Sequence, residues 1–138
     1  MKNCSSIDTD DILYKIVAEA VRTGVVNISG IVCTQGERPD DSETEDIVIN
    51  TITVTHDKPQ TGTSNVNIYA SDLKVKIRGK EQRKADRERL REIGDALVSY
   101  LDMQNIADLE FWIESDIVLQ EQQVNQHYRN IRISWNIH

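Results

Sequence analysis

The hydrophobic patterning of this 138-residue chain predicts an α+β fold, a mainly antiparallel sheet with two helices packed on one face, in the order α-β-β-β-α-β-β. Three patterns lead there. Apolar residues recur at helical period twice, at Ile12, Leu13, Ile16, Val17, Ala20 and Val21, and again at Leu90, Ile93, Leu97, Val98 and Leu101. Ile47 to Val54 is almost entirely β-branched, as strands prefer. Finally, Ile131, Ile133, Trp135 and Ile137 alternate with Arg132, Ser134, Asn136 and His138, which sets one face of a strand against a core and the other against water.

Each element has its own local reason. Asp8 or Thr9 can cap the first helix, and Gly24 can end it. Val25 to Cys33, with Ile28, Ile31 and Val32, reads as a first strand interrupted by Gly30. The next segment, Gly36 to Asp46, sets six carboxylates against Arg38 and is expected to be an acidic, mobile loop that contributes nothing to the core. The strand at 47–54 carries apolar residues on both faces, which predicts burial on both sides. Pro59 and Gly62 mark a turn into SNVNIYAS, making a hairpin. The charged run RGKEQRKADRER then reads as the exposed entry of one long helix, residues 78–91 being its basic part, with local ion pairs such as Arg83 to Asp86. In LEFWIESDIVLQEQ, Phe111, Ile113, Ile117 and Leu119 share one parity and are expected to face the helices. Trp112 has the other parity and presents its ring on the opposite face.

The bulk composition bounds the function. One domain over 1–138 fits this length, with residues 1–7 expected to be flexible. Aromatic residues make up 5% of the chain, so the core is thin, and thin cores lean on partners. A formal charge of −7 argues against general attraction to nucleic acid or to an anionic membrane. The first residues lack the apolar run of a secretion signal, and no stretch approaches the ~20 apolar residues of a membrane span. Cys4 and Cys33 form no CxxC pair, which suits two reduced thiols in a cytoplasm.

Catalysis finds no pattern to rest on. His56, His127 and His138 stand in no metal-binding spacing, and a cofactor site is not expected. The acidic loop offers hard oxygen ligands at Asp40, Asp41, Glu43, Glu45 and Asp46, but lacks the order of a calcium loop. Pro39-Asp40 could open a nuclease motif, yet Asp57 and Lys58 lack the spacer its second half requires. There is no Gly-x-Ser-x-Gly elbow and no glycine-rich phosphate loop. What remains are surfaces: Arg83 and Arg87 in the basic run and Trp112 on the closing strands are candidate subunit contacts.

Taken in order, LYKIVAEAV, VNIYASD, RLREIGDALVSYL and RNIRISWNI resemble the corresponding elements of tail-terminator and tail-completion proteins of long-tailed bacteriophages, over most of residues 8–138. The resemblance implies a non-catalytic subunit of a ring, commonly a hexamer. Such a ring caps the tail tube at the end nearest the head and meets tube and connector proteins. It implies residence in the host cytoplasm during assembly and in the virion tail afterwards. The acidic loop and the basic run depart from that pattern, so no role transfers to them. The alternative class is a small bacterial α+β module that holds a protein or ligand on its exposed sheet face.

Overall fold

The structure is a computed structural model that describes residues 3–138. Its elements are α1 (Ser6–Arg22), β1 (Val32–Thr34), β2 (Ile47–Val54), β3 (Gln60–Ser71), β4 (Leu73–Ile77), β5 (Lys80–Lys84), α2 (Arg87–Asp102), β6 (Leu109–Glu121) and β7 (Gln126–Ile137). Five strands form one sheet in the order β1-β2-β3-β7-β6. Its pairs are antiparallel except the short β1–β2 pair. Both helices pack on one face, so the expected fold class holds, with a separate β4–β5 hairpin inserted before α2.

The core follows from the two periodicities. Leu13, Val17 and Ala20 of α1 and Leu90, Ile93, Leu97 and Leu101 of α2 meet Ile47, Ile49, Val66, Ile68, Ile131, Ile133 and Trp135 of the sheet. Helix α1 starts one turn before the sequence suggests. Ser5 is the cap, because its hydroxyl accepts the Asp8 N–H at 3.2 Å while the Asp8 carboxylate accepts the Ser5 N–H at 2.8 Å. Thr9 lies inside the helix and is buried. Of the N-terminal residues expected to be flexible, Met1 and Lys2 lie outside the described residues and Cys4 is buried.

Arg129 extends the helix-facing side of β7 with a charge. Its guanidinium holds both oxygens of Asp116 on β6, at 2.8 and 2.6 Å, and Asp95 of α2 at 2.9 Å. It lies across Gly94, where a Cβ would collide with it. The missing side chain lets the arginine bridge helix and edge strand.

Four expectations require correction. The long helix does not begin at Arg78. Leu73 to Lys84 forms a β-hairpin, and Arg78 and Gly79, at φ 53° and 77°, make its two-residue turn. The helix starts only after Asp86, whose carboxylate caps the Arg89 N–H at 3.1 Å. Within the hairpin the charges pair across the strands, Lys74 to Glu81 at 3.1 Å, while Asp86 caps the helix instead of pairing with Arg83 and Arg89 reaches Glu45 and Glu92.

The strand expected over 25–33 shrinks to Val32–Thr34. Upstream of it, side-chain bonds are mixed with backbone ones: Gly30 N–H donates to the Glu45 carbonyl and Ile47 N–H to the Ile31 carbonyl, while Ser29 N–H donates to Glu45 Oε1 and Ile31 N–H to Asp46 Oδ1. Strand β6 also changes face midway, because its register slips between Ile113 and Ser115. An extra residue inverts parity in a strand. Ile117 and Leu119 therefore join Trp112 on the side away from the helices, and Asp116 and Val118 take the helix side. The fourth correction concerns the acidic loop, which does reach the interior: Asp46 is 1% exposed.

Candidate functional site

Among the described residues, three surfaces stand out as uncovered by this architecture. The first is the β4–β5 hairpin, which has no extended packing on either helix or on the five-stranded sheet. By register, Leu73, Val75 and Ile77 share one face with Lys80, Gln82 and Lys84. Leu73 is 46% and Ile77 40% exposed, and neither belongs to a hydrophobic cluster. The hairpin carries Lys74, Lys76, Arg78, Lys80, Arg83 and Lys84 against Glu81, a net of +5, so the rest of a chain of net −7 stands at −12. Positive charge is thus concentrated on one projecting element of an acidic body.

The second surface is the free edge of β6, thirteen residues long. Trp112, Ile117 and Leu119 stand beside that edge on the helix-free face, opposite Ser134, Asn130 and Tyr128 of β7. Trp112 is 49% exposed. The neighbouring strands fill this face with amides, Asn130 donating to Asn65 at 3.1 Å and to Asn67 at 2.6 Å.

The third surface is a cleft of about 310 Å³ on the same face, between the loop after β1 and the β6–β7 turn. Its floor is Val48, Tyr69 and Tyr128, and its rim includes Asp40 and Glu121. The two tyrosines stack with ring centroids 4.9 Å apart, and the Arg38 guanidinium lies 3.8 Å from the Tyr69 ring centre. Burial, only partly offset by Arg38, pushes the Tyr69 hydroxyl up to about 12. Burial also raises the Cys33 thiol behind this cluster.

Asp46 holds the wall of the cleft in place. Its carboxylate accepts from Arg38 Nε at 2.8 Å, Ser42 Oγ at 2.6 Å, Thr44 Oγ1 at 2.8 Å and the Ile31 N–H at 2.9 Å. Gly30 is required here, since a Cβ would strike the carboxylate and the Glu45 carbonyl. One residue earlier, Glu45 binds Arg89 of α2 at 2.5 and 2.8 Å. Burial works to raise Asp46, but its four donors outweigh it and leave the group below the ordinary carboxylate value. The bonds from Arg89 lower Glu45 in the same way, against its burial.

Both depressed groups give stability that is complete above the unfolded-state values near 4 and is lost as pH falls through the lower folded-state values. The denaturation midpoint is expected to be level from about pH 7 to 5 and to drop below about pH 4. Asp46→Asn should flatten that drop; a variant retaining the full acid dependence would assign it to other carboxylates.

The residues singled out from sequence do not converge. Arg83 is exposed on β5, Arg87 is exposed in the first turn of α2, and Trp112 lies on the bare face of β6. Arg87 borders a groove with Asp95, Asp116 and Arg129, the residues that join α2 to the edge strand. The Arg38–Asp46 pair and the Tyr69–Tyr128 stack escape sequence reading. Their signal is slight: two tyrosines at the outward parity of strands whose other outward positions are polar. Among the described residues, no group of three histidine, cysteine, aspartate or glutamate side chains is placed to hold a metal ion. No helix among them is long and apolar enough to cross a membrane.

Comparison with protein-family models and with curated protein sequences finds no match to this chain.

Proposed function

We propose that this protein is a non-catalytic structural subunit that assembles with copies of itself into a ring, of the kind that caps a phage tail tube and joins it to the head-proximal neck. The observation that carries this reading is the β4–β5 hairpin. An isolated two-stranded ribbon is marginal in water, and this one presents Leu73 and Ile77 to solvent with a charge opposite to that of its own body. Such an element gains its cover from a partner.

The β6 edge supports the same reading, because a long unpaired strand is an aggregation hazard unless a neighbour covers it. Head-to-tail rings use two different patches per subunit, and hairpin, edge and cleft provide more than one. Ring size, a hexamer on the resemblance, and the tube and connector partners belong to the proposal, as does a working life in the host cytoplasm and then in the tail.

Light scattering and native mass measurement across a concentration series test it. A discrete oligomer several times 15.8 kDa, visible as rings by electron microscopy, is the expected result. A monomer at every concentration would count against the ring and in favour of a binding module.

A further inference from the structure

We propose that the β4–β5 hairpin of one copy inserts its apolar stripe and basic flank into the acid-rimmed tyrosine cleft of a second copy. The inference rests on the ring reading and names the two patches that meet. The hairpin face bearing Leu73, Val75 and Ile77 also bears Lys80 and Lys84, so apolar contact and positive charge arrive together. The cleft answers both, with Val48, Tyr69 and Tyr128 below and Asp40 and Glu121 on the rim. Among the described residues, Arg38 is the one cation that lines it, and its charge is matched by Asp46 at 2.8 Å, which leaves the rim acids to set the sign. About 310 Å³ is at the small end of ligand pockets, suited to a side chain or two of a docking segment.

The hairpin does not serve its own cleft. Its root leaves β3 beside that cleft and is fixed there, Asp72 N–H donating to Asn125 O at 2.9 Å and the Asp72 carboxylate meeting His127 Nδ1 at 2.6 Å. No residue of 73–84 lines the cleft. Donor and acceptor patches therefore sit on one subunit but must be joined between subunits, which is a head-to-tail contact. A second copy is favoured over nucleic acid because a body of −12 repels phosphate at the distance where the hairpin attracts it.

The test uses the full chain with charges reversed on one side at a time. K80E/K84E alone and D40K/E121K alone should each remain monomeric by native mass while melting within a few degrees of wild type. An equimolar mixture should assemble, since in an alternating ring every hairpin then faces a cleft of opposite charge. Recovery on mixing cannot come from misfolding. Either variant assembling alone as wild type does, or the mixture staying monomeric, overturns the contact while the ring reading stands on the wild-type oligomer. Wild-type protein that never assembles removes both. A short DNA duplex bound by wild type and released by K80E/K84E would instead assign the hairpin to phosphate recognition, and that too overturns the proposal.

Discussion

Asp46→Ala is expected to destabilise the protein by about 3–5 kcal/mol, the range for leaving one member of a buried ion pair without its partner. The side chain is 1% exposed, and Arg38, its cationic partner, is itself largely shielded from water. Removing the carboxylate takes the ionic partner from that guanidinium, which keeps neutral acceptors at Gln126 and the Ser42 carbonyl, leaves the Ser42 and Thr44 hydroxyls with each other, and deprives the Ile31 N–H of its acceptor. The loss would be a large fraction of the ~5–15 kcal/mol that holds a domain of this kind together. Urea unfolding followed by circular dichroism reads it directly. Pairing the change with Arg38→Met should cost less than the two single changes added, because the second substitution removes the orphaned charge. Full additivity would mean that the pair is not coupled. The same variant should loosen the cleft wall, since Asp46 anchors the loop carrying Pro39 and Asp40 and fixes Arg38 over Tyr69.

How much of this was legible in the sequence depends on the range of the forces involved. Repeating apolar residues report their own burial, so α1, the apolar half of α2, β2, β3 and β7 could be read from spacing. The hairpin at 73–84 could not. Its strands are short, their polar positions are charged rather than β-branched, and six cations in twelve residues look like a solvated helix face. Gly79 was the local warning, since glycine inside a helix costs about 1 kcal/mol relative to alanine, while a two-residue hairpin turn uses its positive φ. The bulge at Ile113–Ser115 leaves no clear trace in composition. It moves Ile117 and Leu119 to the bare face, and so enlarges the apolar surface around Trp112 beyond what simple alternation allows.

The acidic loop illustrates the opposite limit. Six carboxylates in a short segment predict solvation, and Glu37, Asp40, Asp41 and Glu43 are indeed exposed. Glu45 and Asp46 differ because Arg89 and Arg38 lie within reach, one 44 residues away in sequence and the other 8. Burial of a charge is decided by its partner, and partners distant in sequence are invisible until the chain is folded. Candidate contacts chosen by residue type alone met the same limit: Arg83 and Arg87 are close in sequence yet belong to different elements, a strand of the hairpin and the first turn of α2.

Trp135→Ala is the second change expected to have a large effect, about 3–5 kcal/mol of stability. The indole is 1% exposed, tilts against Phe111 at 5.2 Å between ring centres, and sits opposite Gly62 of β3. It is also the head of a hydrogen-bonded chain whose direction is fixed by its ends. The indole N–H can only donate, and it donates to Ser64 Oγ at 2.9 Å. Ser64 and Thr51 hydroxyls are 2.8 Å apart, Thr51 and Thr9 2.7 Å, and Thr9 donates to the Ser6 carbonyl at 3.0 Å. Because a carbonyl can only accept, every hydroxyl in between donates its hydrogen bond toward α1. The chain joins β7, β3, β2 and the first helix through buried or half-buried groups.

Trp135→Phe keeps most of the apolar contact and removes the donor, so it should cost about 1–3 kcal/mol, the penalty for an unmet buried polar group plus some lost volume. Ser64→Ala should cost a similar amount, by stranding the indole N–H. The double variant should then be less damaging than the two losses added, since neither orphan remains opposite the other. Denaturant midpoints for the four proteins supply the cycle. Strict additivity would show that Trp135 contributes through packing alone and that the hydroxyl chain closes on itself without it.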